Sequence, residues 1–357
     1  MKKVLTYLFA AGMMISAASL MFTSCTKEGP QGPAGANGTN GENGQDANAT
    51  CTQCHNFSDM IVARIIQYDN SLHGSGLTFE RNGVDCAPCH TSQGFKEFWE
   101  TGSVAEDIQN PAPVGCRTCH MIHDTYTATD WELRYTSSFT NALGLTTDMT
   151  TEGGNVTGNL CARCHQSRAS TPVITDPSDD VNTLIPTSSH YGPHHGPQSA
   201  MLAGTDGFET IGGANLPNSW HTGKTTCQDC HMAAAFGGQA GGHTMAMGYE
   251  YHEALVENVA GCNVSGCHDP ALEDFDYDGK MTTTIELFEL LAAKLDAAGV
   301  MSASGTVVTG QPRTQKMLAT IYNWKMVQED RSFGIHNYKR SKAMLENGIA
   351  YLESLGY

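Results

Sequence analysis

The chain has 357 residues and a formal net charge of −17. Such an acidic balance argues against nucleic acid as a partner, because nucleic-acid binding needs a basic face. It favours cationic partner surfaces, with ordinary surface solubility as the alternative. Aromatic residues make up only 8% of the chain, against 38 glycines and 13 prolines, so side chains alone supply little apolar interior.

The first segment has the pattern of a targeting sequence. Lys2 and Lys3 precede an apolar run that extends to Phe22, which is typical of a signal peptide. Phe22-Thr23-Ser24-Cys25 resembles a bacterial lipoprotein cleavage box, so we predict a signal peptide over residues 1–24 and a lipidated Cys25. The alternative is an uncleaved membrane anchor. Both interpretations place the body outside the cytoplasm, and lipidation predicts attachment to the outer membrane, on its periplasmic or cell-surface face.

A glycine-rich stalk is predicted over residues 25–50. From Gly29 to Asp46 every third residue is glycine, which resembles collagen. Prolines occur only in the first two triplets, so a triple helix would be weak. A flexible, extended stalk is the favoured interpretation.

Six cysteine motifs dominate residues 51–270. Cys-x-x-Cys-His is the attachment signature of c-type haem: two cysteines on one helical turn reach the two porphyrin vinyl groups, and the adjacent histidine ligates the iron. A redox dithiol or a zinc site does not require a histidine after every second cysteine. Five motifs are regular, and the sixth has four residues between its cysteines. We therefore predict six haems c, attached through Cys51, Cys54, Cys86, Cys89, Cys116, Cys119, Cys161, Cys164, Cys227, Cys230, Cys262 and Cys267.

Each iron then needs one or two imidazoles. The predicted proximal ligands are the motif histidines His55, His90, His120, His165, His231 and His268. Of 15 histidines these are six, which leaves nine for the opposite faces. The predicted distal ligands are His73, His123, His194, His195, His221, His243 and His336, with His190 and His252 as further candidates. A surface histidine is the alternative for each.

Local spacing constrains some of these ligands. His120 and His123 are three residues apart, so they should serve different irons. His221 and His243 flank the fifth motif and are also expected to ligate different irons. One ligand is expected from the cluster His190 to His195, where His194 and His195 cannot be separated. Bis-histidine ligation predicts low-spin haems of low potential.

The region 271–357 is predicted to be helical and to pack on the cytochrome body. Ile285, Phe288, Leu291 and Leu295 recur with helical period, and further helices are predicted over about 314–328 and 336–355. Before them, Asp274 to Gly279 resembles the start of an EF-hand loop. Ile285 occupies the position of the final glutamate, so an acidic turn is favoured and calcium is the alternative. The predicted fold class is mainly α with extensive irregular loops, organised around a packed haem chain.

The chain resembles the group of multihaem cytochromes c that includes ammonia-forming nitrite reductases and hydroxylamine oxidoreductases. The resemblance rests on Cys227 to Met232 with His221 and His243, on Cys119 to His123, and on Gly334 to Asn337. It implies closely packed haem pairs that form a conducting chain, and a helical C-terminal region. The Cys-x-x-Cys-Lys motif usual at the catalytic haem of those nitrite reductases does not occur here.

The resulting prediction is an electron-transfer protein rather than an enzyme, exchanging electrons with redox protein partners. One alternative is a reductase of nitrite, hydroxylamine or a sulfur oxyanion with one open haem. The other is a subunit of a haem filament, formed by self-association. Counting high-spin haem separates the first two functions.

Overall fold

The computed structural model describes His55, residues 58–209 and residues 216–357. The predicted signal peptide, Cys25, the stalk and the first two motif cysteines, Cys51 and Cys54, lie outside the described residues. In the part described, helices and long irregular connections dominate, as predicted. Each helix there is too short or too polar to cross a lipid bilayer.

The helices fall into a group of short segments and a group of three long C-terminal ones. In chain order they are α1 Asp59–Asp69, α2 Leu72–Ser75, α3 Ala87–His90, α4 Ser92–Thr101, α5 Cys116–Cys119, α6 Gly158–Ala162, α7 Gln198–Ala203, α8 Cys227–His231, α9 Lys280–Ala297, α10 Gln315–Asp330 and α11 Tyr338–Ser354.

The strands in the described residues form three antiparallel pairs. They are β1 Phe139–Thr140 with β2 Thr146–Thr147, β3 Thr183–Leu184 with β6 Arg313–Thr314, and β4 Gly248–Tyr251 with β5 Ala254–Glu257. The second pair joins distant parts of the chain, because Thr183 is in register with Thr314 just before α10 begins. The other two are local hairpins.

The three C-terminal helices are close to the predicted ones. Thr314 caps α10 by accepting a hydrogen bond from the Met317 N–H at 3.2 Å, as a threonine at this position commonly does. The last helix begins at Tyr338 rather than His336, because the Asn337 side chain caps it. His336 therefore lies in the connection before the helix.

These helices build the main hydrophobic core. Leu291, Leu295, Trp324 and Leu345 are fully buried within it. Gly348 allows α11 to approach α9 closely, since a Cβ there would lie 2.8 Å from a Leu291 methyl carbon. A side chain at that position would force the helices apart.

The core extends beyond the C-terminal region into the loops that precede it. Tyr191 and Met201 are almost completely buried against the same cluster, and α7 packs on α10. Regions separated by more than one hundred residues of sequence therefore contribute to one hydrophobic core. This places the loop that contains His194 and His195 next to the end of α10.

The acidic segment before α9 forms a turn that is hydrogen-bonded to its own chain. Asp276 accepts the Thr282 N–H at 3.0 Å and the Thr282 hydroxyl at 2.6 Å, in the first turn of α9. Asp278 forms an ion pair with Lys280 at 3.2 Å. These contacts account for a helix start at Lys280, one turn before the periodic residues begin at Ile285. The acidic turn is the favoured interpretation, and calcium binding stays the untested alternative.

Candidate haem-binding sites

The described regular motifs form single helical turns that are closed in the same way. The histidine N–H donates to the carbonyl of the first cysteine, with distances of 3.1 Å for His90, 2.8 Å for His120 and 3.0 Å for His165. This bond closes one helical turn that contains both cysteines and the histidine. The geometry suits the attachment of one porphyrin by two adjacent sulfurs.

The expanded sixth motif keeps this closure despite its extra residues. The His268 N–H donates to the Cys262 carbonyl at 3.2 Å. Gly266 adopts φ +88°, a conformation that glycine takes without strain and that lets the longer connection turn back. The first cysteine and the histidine of the sixth motif are thus joined by the same hydrogen bond as in the regular motifs.

Five motif histidines face a histidine from outside the motifs. The ring centres are separated by 6.1 to 6.3 Å in every case. The pairs are His55 with His123, His165 with His73, His120 with His243, His268 with His221, and His231 with His336. Each pair combines one predicted proximal ligand with one predicted distal ligand.

This separation fits a six-coordinate iron. A metal–nitrogen bond of about 2 Å, with each nitrogen roughly 1 Å from its ring centre, puts two opposed imidazole centres about 6 Å apart. Aromatic pairs in general have ring centres about 4.5–7 Å apart, so the support comes from the agreement of all five pairs within 0.2 Å and from their pairing of motif with non-motif histidines. The residues present therefore fit a haem held between each pair.

Hydrogen bonds orient many of these rings through the nitrogen that an iron does not need. Nδ1 of His120 donates to the Trp131 carbonyl at 2.7 Å, and Nδ1 of His221 donates to the Ile335 carbonyl at 2.8 Å. In this tautomer Nε2 carries no proton and is free to ligate. Metal-bound histidines commonly show this arrangement.

Electrostatics keep several of these imidazoles neutral, as metal ligation requires. Burial, followed by the neighbouring His165, lowers the pKa of His73 to about 4. Burial also lowers the pKa of His165 and of His231. His336 differs: burial opposes its charged form, but the adjacent Asp330 carboxylate outweighs this and raises its pKa.

The structure brings the two histidines that flank the fifth motif to two other motifs. His221 faces the sixth motif and His243 faces the third, while His231 of the fifth motif faces His336. His120 and His123, three residues apart, likewise face rings from different parts of the chain. Their ligation of iron stays a prediction.

The second motif has a different environment. Among the described residues, no histidine ring faces His90 at the spacing seen in the five pairs. Burial and then the positive charges of Arg81 and Arg168, with His195 also close, lower the pKa of His90. A single open position on this haem is therefore compatible with the geometry.

The nearby cluster contains two candidate partners for His90. The rings of His194 and His195 lie 4.9 Å apart. Nδ1 of His195 lies 2.8 Å from Glu329 Oε2, as in an oriented metal ligand. His194 adopts φ +69° and makes no such bond within the described residues, and burial followed by His195 lowers its pKa to about 4. The orienting carboxylate favours His195.

The remaining two candidate distal ligands, His252 and His190, do not pair with a motif histidine in the part of the chain described. The ring of His252 packs on Tyr251, 4.2 Å between centres, and His252 is exposed. The His190 N–H donates to the Ser188 hydroxyl at 3.1 Å. Neither ring faces a motif histidine in the described structure.

Neighbouring attachment sites adjoin one another. The side chain of Cys89 adjoins that of Cys164, and the side chain of Cys161 adjoins that of Cys227. Gly261, just before the sixth motif, lies against the fifth motif so closely that a Cβ would be 2.5 Å from the Asp229 carbonyl oxygen. The second, fourth, fifth and sixth motifs thus follow each other in space.

The groups that orient the imidazoles were not predicted. Asp330 and Glu329 lie at the end of α10, and their positions beside His336 and His195 depend on tertiary packing. Backbone carbonyls such as those of Trp131 and Ile335 leave no sequence signal at all. Only the short separation between Asp330 and His336 offered a local hint.

No protein-family model and no curated protein matches the sequence. The structure is similar to the crystal structure of the outer cell wall cytochrome OcwA, with a TM-score of 0.50 and 19% identity, covering 81% of this chain and 50% of that one. It is also similar to an undecaheme cytochrome from the S-layer of Carboxydothermus ferrireducens, with a TM-score of 0.47 and 14% identity, covering 80% of this chain and 40% of that one.

This chain thus spans half the length of OcwA and less of the second protein. The narrower resemblance to nitrite reductases and hydroxylamine oxidoreductases stays a prediction. Taken with the motifs, the similarity to OcwA shows that this chain has the fold of a multihaem c-type cytochrome.

Proposed function

We propose that this protein transfers electrons through six covalently attached haems c, most of them ligated by two histidines. The observation that supports this best is the set of five opposed histidine pairs with ring centres 6.1 to 6.3 Å apart. A haem c between two imidazoles exchanges one electron and has no free position for a substrate. Redox proteins are the proposed donor and acceptor.

The protein's own groups have three tasks in this function. The motif cysteines form the thioether bonds, and the paired histidines provide neutral imidazoles. Carbonyl and carboxylate acceptors such as Trp131 O and Asp330 fix the tautomer of those rings. Burial around His73 favours its neutral form, which is the form that ligates. Donation by two oriented imidazoles stabilises ferric iron and keeps the potential low.

Methionine is not the proposed ligand at any described motif. The sulfur of Met245 lies 3.1 Å from Nδ1 of His73. It therefore contacts the nitrogen that an iron does not use. We expect no methionine–iron charge-transfer band in the oxidised protein.

A second candidate function is a reductase of nitrite, hydroxylamine or a sulfur oxyanion at the second motif. It is favoured by the lack of a facing ring at His90 in the described structure and by the positive charges of Arg81 and Arg168 nearby. A cationic surrounding would attract an anionic substrate. In the electron carrier, His195 or His194 closes this position instead.

Spectroscopy of the purified holoprotein separates the two candidates. For an electron carrier, we expect six low-spin haems, one of which becomes high-spin in His195→Ala or in His194→Ala. His252→Asn is the control and should leave the spectrum unchanged. A wild-type protein with one high-spin haem that reduces nitrite or hydroxylamine would establish the reductase instead.

We further propose that the protein is extracytoplasmic and anchored to the outer membrane through lipidated Cys25. The support is the lipoprotein-like box in the sequence and the similarity to a cytochrome described as an outer cell wall protein. Cys25→Ser should move the protein from the membrane to the soluble fraction. A variant that stays membrane-bound and keeps its leader would contradict lipidation.

A further inference from the structure

The four axial histidines assigned to the fourth and fifth motifs have unequal hydrogen-bond acceptors. At the fifth motif, Nδ1 of His231 donates to the Met245 carbonyl at 3.0 Å, and Nδ1 of His336 lies 2.6 Å from Asp330 Oδ1. One acceptor is a backbone carbonyl and the other is a carboxylate. This is a strong acceptor pair.

The acceptors at the fourth motif are weaker. Nδ1 of His165 lies 3.1 Å from the side-chain oxygen of Gln198, and Nδ1 of His73 lies 3.1 Å from the sulfur of Met245. An amide oxygen is a neutral acceptor, and a thioether sulfur is a weak one. The Nδ1–H bonds of His165 and His73 are therefore less polarised than those of His231 and His336.

Asp330 is built to act on His336. Its side chain is 1% exposed, and its second oxygen accepts the Ser332 hydroxyl. Within the described residues its ion pair is with His336 rather than with lysine or arginine. A buried, charge-assisted hydrogen bond of this kind is about twice as strong as a neutral one. It pulls the Nδ1 proton towards the carboxylate and makes the imidazole a stronger donor to iron.

Met245 contacts ligands of both sites at once. Its carbonyl serves His231 and its sulfur serves His73. It adopts φ +55° at the end of a short helical turn, which turns its carbonyl and side chain to different neighbours. One residue thus gives the fifth site a good acceptor and the fourth site a poor one.

The two sites are direct neighbours. The side chain of Cys161 adjoins that of Cys227, and Gln228 Nε2 lies 3.9 Å from the Cys161 sulfur. An electron that moves along the motif series therefore passes between these two sites. A difference in their ligand donation sets the direction of that step.

We infer that Asp330 and Met245 are positioning residues that give the haem of the fifth motif a lower reduction potential than the haem of the fourth, so that electrons pass from the fifth to the fourth. Stronger imidazole donation stabilises ferric iron, which lowers the potential. The inference rests on the proposed electron-transfer function. It adds a direction for one step of that function.

The test is a haem-resolved redox titration of the full holoprotein by electron paramagnetic resonance. Asp330→Asn keeps the size of the side chain and removes its charge. We expect the equilibrium of the fifth-motif haem to shift about tenfold towards the ferrous form, which is about 59 mV for one electron. Its low-spin signal should also move away from imidazolate character. Asp296→Asn, an exposed change on α9, is the control.

A second variant, Met245→Gln, should change the potential in the opposite direction and at the fourth-motif haem. Met245→Gln replaces the sulfur by an amide oxygen and keeps the backbone carbonyl. We expect the fourth-motif haem to shift several-fold towards the ferric form while the fifth changes little. Met247→Gln, two residues away, is the control. Because the two variants act on different haems, a local loss of ligation in one leaves the other as a test.

Three results would overturn the inference. These are unchanged potentials in both variants, equal shifts of all haems, or a wild-type fifth-motif potential above that of the fourth. Each leaves the proposed function intact if the haems remain low-spin. Failure of the proposed function has a separate readout: His336→Ala should create one high-spin haem, and an unchanged spin count there would mean that the ligand pair is wrong.

Discussion

The imidazole of His221 faces that of His268, with 6.2 Å between ring centres, although His221 lies just before the fifth motif and His268 closes the sixth. The hydrogen bond from His221 Nδ1 to the Ile335 carbonyl at 2.8 Å fixes the ring in this direction. The position of His221 in the sequence therefore does not show which motif histidine it faces. The C-terminal region selects it by supplying the acceptor.

Removing His221 should affect only the haem of the sixth motif. We expect His221→Ala to convert one low-spin haem to a high-spin one, because the facing His268 then holds the iron alone. His243→Ala should do the same at the third motif, and the double variant should convert two. Electron paramagnetic resonance of the oxidised holoprotein gives the count. His252→Asn is the matched control, and a double variant with only one high-spin haem would mean that His221 and His243 share an iron.

The sequence predicts the attachment sites and the helices better than the contacts between them. Cys-x-x-Cys-His is a local pattern, and the period of Leu291 and Leu295 is local too, so both can be found without tertiary information. The pairing of His231 with His336 depends on how a loop before α11 packs on the fifth motif. No periodicity encodes such a contact. The number of available histidines limits the candidates, but only the fold shows which motif histidine lies opposite His73, His123, His221, His243 or His336.

The same reasoning applies to the orienting groups. His120 could be predicted as a proximal ligand, yet its acceptor is the Trp131 carbonyl, 2.7 Å away in a turn without a distinctive sequence. Asp330 looks like an ordinary acidic residue at the end of a helix until it is found buried beside His336. Every residue has a carbonyl, so residue types cannot mark this contact. The tuning of the sites is therefore visible only in the structure.

The expanded sixth motif is expected to carry a haem. The hydrogen bond from the His268 N–H to the Cys262 carbonyl at 3.2 Å keeps the ends of the motif together. Intact mass of the wild-type holoprotein should therefore correspond to six haems. Replacing both Cys262 and Cys267 by serine should remove one haem and leave the other five. A wild-type mass with five haems, unchanged in the double variant, would show that this motif is not used.

Acid should weaken the contact between the loop at Asp179 and the start of α10. The N–H and the side-chain amide of Asn182, then the Val181 N–H, lower the pKa of the Asp179 carboxyl from 3.8 to about 2, and Gln315 Nε2 at 3.2 Å contributes as well. Because the folded pKa is the lower one, this stabilisation is present above about pH 4 and is lost as the pH falls through about 2.

The measurement for Asp179 is the thermal midpoint of the holoprotein as a function of pH. Asp179→Asn should lower the midpoint at pH 6, and the difference from the wild type should shrink steadily between about pH 4 and pH 2. Asp69→Asn, at the exposed end of α1, is the control. A difference that stays constant over this range would mean that the charge of Asp179 does not contribute.

The final prediction concerns a partly buried hydrogen bond that joins the C-terminal core to the loop after α7. The Tyr322 hydroxyl donates to Asp206 Oδ2 at 2.7 Å, and Tyr322 is 3% exposed. Burial and the Asp206 carboxylate raise the pKa of Tyr322 well above its usual range, so the hydroxyl remains a donor. Removing this donor leaves a carboxylate oxygen of Asp206 without its partner.

Tyr322→Phe should therefore lower the free energy of unfolding by about 1.5–3 kcal/mol, the range for a hydrogen bond to a charged group. The change keeps the ring, so its packing against Phe208, 4.9 Å between centres, should persist. Thermal denaturation of the holoprotein followed by circular dichroism gives the effect, and the low-spin haem count should not change. Tyr338→Phe is the matched control, because the Tyr338 hydroxyl makes no hydrogen bond within the described residues. If both variants melt at the temperature of the wild type, the bond to Asp206 adds no net stability, and the packing of Tyr322 alone joins this loop to the core.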